Sequence, residues 1–94
     1  MKMVINECFG GFSLSREAYE FLGLEWDGYG CATIDRTDEK LIGCVKALGN
    51  RVNGDCAELK VVKIPDNATD WRLEEYDGSE SITAVVDGKL VDIY

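Results

Sequence analysis

The clearest pattern along the chain is an apolar stripe at helical spacing that follows Asp38. Its residues recur at positions i, i+3, i+4 and i+7, and they are Leu41, Ile42, Cys44, Val45 and Leu48. Thr37 or Asp38 can cap the start of this helix, and Gly49 can end it. The pattern therefore predicts an amphipathic helix between the cap and the glycine.

A strand and a shorter helix are predicted nearer the N-terminus. Residues 2–8 include β-branched side chains, which favour a strand, and two consecutive glycines interrupt the chain soon afterwards. Ser13 or Ser15 can cap a helix over about residues 15–22, and Gly23 can end it.

The last third of the chain contains two Asp-Gly pairs, at residues 77–78 and 87–88, which are typical of two-residue hairpin turns. With both turns formed, the opposing residues are Tyr76 and Ser79, Leu73 and Ile82, Trp71 and Ala84, Val86 and Lys89, Ala84 and Val91, and Ile82 and Ile93. This register collects apolar side chains on one face of a three-stranded meander, because side chains alternate between faces. The other face is mixed. A further strand is predicted at residues 57–64.

Together these elements predict a single α+β domain over residues 1–94. We expect an antiparallel sheet of four to five strands that ends in a C-terminal β-meander, with two helices on one face. The N-terminal residues lack the apolar core of a signal peptide, and no apolar run approaches the roughly 20 residues of a membrane helix. We therefore expect a cytosolic protein that does not bind a membrane.

Composition and charge disfavour several classes of function. The chain has 94 residues, with 10 Lys plus Arg, 18 Asp plus Glu and no His, which gives a net charge of −8. Without histidine there is no imidazole for acid–base catalysis, metal ligation or activation of a nucleophile. Direct binding of nucleic acid is disfavoured because it needs a basic face. We expect neither an enzyme nor a cofactor.

The four cysteines, at positions 8, 31, 44 and 56, are far apart along the chain and include no C-x-x-C pair. Zinc sites usually contain at least one closely spaced pair of ligands, so no metal site is predicted. In a reducing cytosol, we expect these thiols to pack in the core as small apolar side chains.

One candidate site for an anion, such as a nucleotide phosphate, follows the first predicted strand. Backbone amides, hydroxyls and one guanidinium would form it, from Gly10, Gly11, Ser13, Ser15 and Arg36. The alternative is a tight turn with a serine cap, in which Arg36 pairs with Asp35 or Asp38.

The acidic residues are concentrated in the second half of the chain. Between residues 66 and 80 there are six carboxylates and one arginine: Asp66, Asp70, Glu74, Glu75, Asp77 and Glu80, with Arg72. Residues two apart on a strand are separated by about 6.6 Å, close to the phosphate spacing of a nucleic-acid strand. An acidic strand pair can therefore bind the basic nucleic-acid channel of another protein. The alternative is a solvated surface that keeps the protein soluble.

Three aromatic residues, Trp26, Tyr29 and Tyr76, complete the predicted contact surface. Trp26 and Tyr29 lie in a glycine-containing loop, and protein interfaces are enriched in Trp and Tyr. The alternative is that this loop folds back as a lid over one end of the sheet.

Four blocks of sequence resemble those of a group of short phage and prophage proteins. They are MKMVINECFGGFSLS, IDRTDEKLIGCVKALG, AELKVVKIP and WRLEEYDGSE, and in this order they cover about residues 1–80. Glu39 stands where the group commonly has proline, and the tail SITAVVDGKLVDIY forms a predicted second hairpin where the group usually ends sooner in a charged stretch. The resemblance implies a phage accessory protein, of a kind that often counters host defence.

The resulting hypothesis is an anti-CRISPR-type inhibitor in the host cytosol. It would bind a host nucleic-acid-binding defence protein through the acidic strands and the aromatic residues, and would block the partner's nucleic-acid surface by shape and charge. Two alternatives stay open: a protein that sequesters a nucleotide signal at the anion site, and a structural phage component, such as a homodimer, without a ligand.

Overall fold

The computed structural model describes residues 1–28, 30 and 34–94, and it confirms the predicted α+β class. The helices are α1 (Arg16–Leu22), α2 (Glu39–Leu48) and a 3₁₀ helix (Gly49–Val52) that follows α2. The strands are β1 (Lys2–Asn6), β2 (Leu59–Lys63), β3 (Ala68–Tyr76), β4 (Ser79–Val86) and β5 (Lys89–Asp92). In the part of the chain so described, no helix is long and apolar enough to span a membrane.

Both predicted α-helices form, and the predicted signals lie at their ends. The Oγ of Ser15 accepts a hydrogen bond from the Ala18 N–H at 3.1 Å and caps α1. The carboxylate of Asp38 accepts from two N–H groups in the first turn of α2. Gly23 ends α1 with φ 72°, a left-handed conformation that glycine adopts without steric cost.

The five strands are divided between two antiparallel sheets, β1–β2 and β3–β4–β5. Within the meander, the register of both hairpins is the one predicted from the two Asp-Gly turns. Where β1 approaches β4, the Asn6 N–H donates to the Glu80 carboxylate at 2.7 Å. A side chain therefore links the two sheets at this point.

The β1–β2 sheet is the middle layer of three. Val4 of β1 packs in a cluster with α1 and α2. Met3 and Ile5, which alternate with Val4, pack on the opposite side with Ile82 of β4. The helices thus cover one face of the middle sheet, and the apolar face of the meander covers the other.

The cysteines differ in exposure. Cys44 in α2 is buried, as expected of a small apolar side chain, and desolvation raises the pKa of its thiol. Cys8 is half-buried and Cys56 is exposed, so the prediction of a core thiol is wrong for Cys56. Cys31 lies outside the described residues. Among those described, no three His, Cys, Asp or Glu side chains converge as metal ligands.

Candidate protein-binding surface

A buried ion pair joins the segment before α2 to the meander. The guanidinium of Arg36 contacts both carboxylate oxygens of Glu80, with Nη2 2.8 Å from Oε2. The Glu80 side chain is 7 % exposed and the Arg36 side chain 21 %. The guanidinium also lies 3.7 Å from the ring centroid of Phe12. The ion-pair partner of Arg36 is thus Glu80, rather than the neighbouring Asp35 or Asp38.

The fully buried side chain of Asn6 extends this polar cluster. Its Nδ2 donates to the carbonyl oxygens of Gly78 and Cys8, each at 2.7 Å. Its Oδ1 accepts from the Glu58 N–H at 2.8 Å. Because these bonds reach β1, the start of β2 and the β3–β4 turn together, the satisfied cluster stabilises one arrangement of the three segments.

Two glycine turns pack against each other beside the cluster. The Gly10 N–H donates to the carbonyl oxygen of Asp77 at 2.8 Å. Gly78 has φ 89°, and a β-carbon on it would overlap the backbone nitrogen of Gly11. A β-carbon on Gly10 would lie 2.6 Å from Cβ of Cys56. The close approach of the two turns therefore requires glycine at position 78, and the contact with Cys56 requires glycine at position 10.

The donor groups of the predicted anion site are engaged by partners within the chain. Four of its five residues donate to partners within the chain: Gly10 N–H to Asp77 O at 2.8 Å, Ser13 Oγ to Asp55 O at 3.1 Å, Ser15 Oγ to Arg51 O at 2.5 Å, and Arg36 Nη2 to Glu80 at 2.8 Å. The fifth, Gly11, packs on the Gly78 turn. These contacts fit the alternative of a tight turn with a serine cap.

Four of the predicted carboxylates are exposed on the β3–β4 hairpin: Asp70, Glu74, Glu75 and Asp77. Asp70 and Glu74 lie on the outer face of the meander, which is turned away from the middle sheet. Glu75 accepts a hydrogen bond from the Gly78 N–H at 2.7 Å. Asp92 of β5 joins the same outer face through its pairing with β4. The hairpin register predicted from the sequence also places Asp92 on this face, but it was not among the candidate partner-binding residues because it lies outside the acidic run.

The other two predicted carboxylates have partners. Glu80 is buried against Arg36, so its placement among the exposed partner-binding residues is wrong. Asp66, between β2 and β3, accepts a hydrogen bond from the amine of Met1 at 3.1 Å. This bond, the charge of the amine and the charge of Lys63 lower the pKa of the Asp66 carboxyl, which stays exposed.

A shallow concavity of about 250 Å³ lies on the outer face of the meander. Val85 lies in it opposite Leu90, and Leu90 is 77 % exposed. Arg72 also lines it, with Nη1 4.0 Å from Oε1 of Glu74. The surface is named the acidic outer face, and it comprises Asp70, Arg72, Glu74, Thr83, Val85, Leu90 and Asp92. It combines an apolar centre with three carboxylates and one guanidinium.

The predicted aromatic residues do not share one surface. Trp26 belongs to the helical layer, where its ring packs edge-on against Tyr19 with the centroids 5.0 Å apart. The Tyr19 hydroxyl donates to Asp27 at 3.0 Å, so this loop folds back on α1. Tyr76 is 75 % exposed on β3 and adjoins the acidic outer face. Tyr29 lies outside the described residues.

No protein-family model, curated protein or solved structure matches this chain. A functional conclusion therefore depends on the chain's own residues. Of the predicted sites, the acidic hairpin is the one whose side chains reach solvent together, whereas the donor groups of the predicted anion site are engaged within the chain.

Proposed function

We propose that this chain is an inhibitor of a host antiviral, CRISPR-type system and binds a nucleic-acid-binding protein of that system through its acidic outer face. The observation that carries the proposal is the set of exposed carboxylates around Val85 and Leu90. The blocks that resemble short phage proteins support the phage assignment. The inhibitor acts by occlusion, without catalysis and without a cofactor.

The spacing of the carboxylates supports contact with a basic groove. Asp70 and Glu74 are four residues apart on β3, which separates them by about 13 Å along the strand. Asp92 lies two strands away and level with Arg72, which places it about 12 Å from each of these carboxylates. These separations are comparable to the width of a major groove, about 12 Å, across which a nucleic-acid-binding protein meets phosphates. The exposed Leu90 adds apolar area that a partner can bury.

Reversing three charges of the acidic outer face is expected to weaken the interaction strongly. In the triple variant Asp70→Lys, Glu74→Lys, Asp92→Lys, repulsion replaces attraction at each position, and affinity falls by about a hundredfold. Tagged wild-type and variant proteins serve as baits in host lysate at low and moderate salt, with mass spectrometry as the readout. The wild type is expected to retain a nucleic-acid-binding protein that an added oligonucleotide displaces and that the variant does not retain.

The matched control reverses three exposed carboxylates of the helical layer, in the variant Glu20→Lys, Glu25→Lys, Glu39→Lys. The net charge of this control changes by the same amount as that of the outer-face variant. The control is nevertheless expected to retain the same host protein as the wild type. Glu80 is kept in both variants, because its reversal breaks a buried ion pair. Equal retention by the two triple variants, or no oligonucleotide-sensitive protein on the wild type, would contradict the proposed function.

A further inference from the structure

Two aromatic rings are exposed at the end of the molecule where the glycine turns meet. Phe9 is 64 % exposed and Tyr76 is 75 % exposed, the highest values among the described aromatic residues. Phe9 directly precedes Gly10, Tyr76 directly precedes Asp77, and a backbone hydrogen bond joins these two turns. Large aromatic side chains left exposed on adjoining segments are typical of an interaction surface.

The backbone beside these rings is held from several directions. Besides the bond between the turns, Nδ2 of Asn6 donates to the carbonyl oxygen of Gly78 at 2.7 Å. The hydroxyl of Ser79 donates to the carbonyl oxygen of Glu7 at 3.4 Å. Because both turns are ordered before binding, little backbone entropy is lost when a partner covers the rings.

The same end of the molecule is strongly acidic. Three segments meet there, residues 6–12, 53–59 and 74–81, as the Glu58–Asn6 and Gly10–Asp77 hydrogen bonds show. These segments contain no Lys or Arg, and their seven carboxylates are Glu7, Asp55, Glu58, Glu74, Glu75, Asp77 and Glu80. Two of the seven have a cationic partner: Glu80 pairs with Arg36, and Glu74 lies 4.0 Å from Arg72. We name this region the acid–aromatic end.

The combination of exposed aromatic rings with carboxylates narrows the classes of partner that can bind the acid–aromatic end. Nucleic acid is disfavoured because its phosphates need basic residues, and an anionic membrane surface attracts basic segments. A protein groove that binds single-stranded nucleic acid has the complementary chemistry, since it offers stacking surfaces for bases beside cations for phosphates. Phe9 and Tyr76 correspond to the bases of such a ligand, and the carboxylates of Glu75 and Asp77 correspond to its phosphates.

We infer that Phe9 and Tyr76 are the aromatic anchors of the interface and occupy the base-stacking sites of a basic groove that binds single-stranded nucleic acid. The inference rests on the proposed function and names the part of the partner that is occupied. Tyr76 follows Asp70 and Glu74 along the outer side of β3, so the acid–aromatic end is continuous with the acidic outer face. The outer face supplies long-range attraction, and the two rings supply contact energy.

The test measures the Kd of the double variant Phe9→Ser, Tyr76→Thr for the oligonucleotide-displaced host protein, over a range of salt. Loss of both rings is expected to weaken binding about a hundredfold, roughly tenfold for each ring. Since no charge changes, the salt dependence of the affinity is expected to equal that of the wild type. Reversal of the outer-face charges, in contrast, is expected to remove this salt dependence. Phe21→Gln, which removes a 51 % exposed ring from α1, is the matched control and leaves the affinity unchanged.

Photo-crosslinking provides a readout that does not depend on loss of binding. p-Benzoylphenylalanine at position 9 or 76 is expected to join peptides of the partner's nucleic-acid groove, and the same group at position 21 is not. Thermal unfolding first establishes that the variants fold. Wild-type affinity in the double variant, or crosslinks outside the groove, would refute the role of Phe9 and Tyr76 as anchors without contradicting the proposed function. A wild type that captures no oligonucleotide-sensitive protein overturns both.

Discussion

Replacing Glu80 with alanine is expected to lower the free energy of unfolding by about 3–5 kcal/mol, as measured by urea denaturation. The change leaves the guanidinium of Arg36, only 21 % exposed, without its carboxylate. The N–H of the buried Asn6 also loses its acceptor. Because a small domain has about 5–15 kcal/mol of stability in total, the variant is expected to be partly unfolded at moderate temperature.

Glu74→Ala is the matched control, because it removes an exposed carboxylate from the same hairpin. This side chain is 57 % exposed and 4.0 Å from Arg72, so its loss costs within about 1 kcal/mol. The double variant Arg36→Met, Glu80→Gln is expected to recover most of the stability, since no charge is left unpaired and the glutamine oxygen still accepts from Asn6. Equal losses for Glu80→Ala and Glu74→Ala would show that the ion pair does not stabilise the fold.

Gly78→Ala is expected to cost about 3 kcal/mol or more, against about 1 kcal/mol for Gly88→Ala. Both glycines hold the second position of an Asp-Gly hairpin turn, with φ 89° and 76°, so their backbone strain is comparable. A β-carbon on Gly78 would overlap the backbone of Gly10 and Gly11, whereas one on Gly88 meets no atom within 4 Å. The difference between the two unfolding free energies therefore measures the packing of the glycine turns.

Hydrogen exchange checks the same contact directly. In Gly78→Ala the two turns must separate, so the Gly10 N–H, which donates to the Asp77 carbonyl, is expected to exchange faster. In Gly88→Ala its exchange rate is expected to stay unchanged. Similar stability losses in both variants, with no change at Gly10, would mean that the turns are not in close contact.

The helices and hairpins were predictable because each is encoded by neighbouring residues. Asp38 and Ser15 cap their helices through bonds to the next turn of the chain. The two Asp-Gly turns determine the meander register, since a slip of one residue would turn Ile82 and Ala84 from the core to the outer face.

The acidic surface was predictable only in part. Charge along the sequence identified Asp70 and Glu74, whereas Asp92 is joined to them by the hairpin register that the second Asp-Gly turn encodes. Glu80 has the same local sequence character as the exposed carboxylates, and it differs because Arg36, 44 residues earlier, lies against it. A carboxylate's environment depends on which cation the fold brings to it, and no local pattern contains that information.

Secondary structure, net charge and the lack of histidine follow from the order of residues alone, because caps, turns and alternation act between close neighbours. The division of five strands into two sheets, the packing of Gly10 and Gly11 on Gly78, and the shared exposure of Phe9 and Tyr76 required the folded chain. These features arise from contacts between residues distant in sequence, where close packing and desolvation select one arrangement among several that the local signals permit equally.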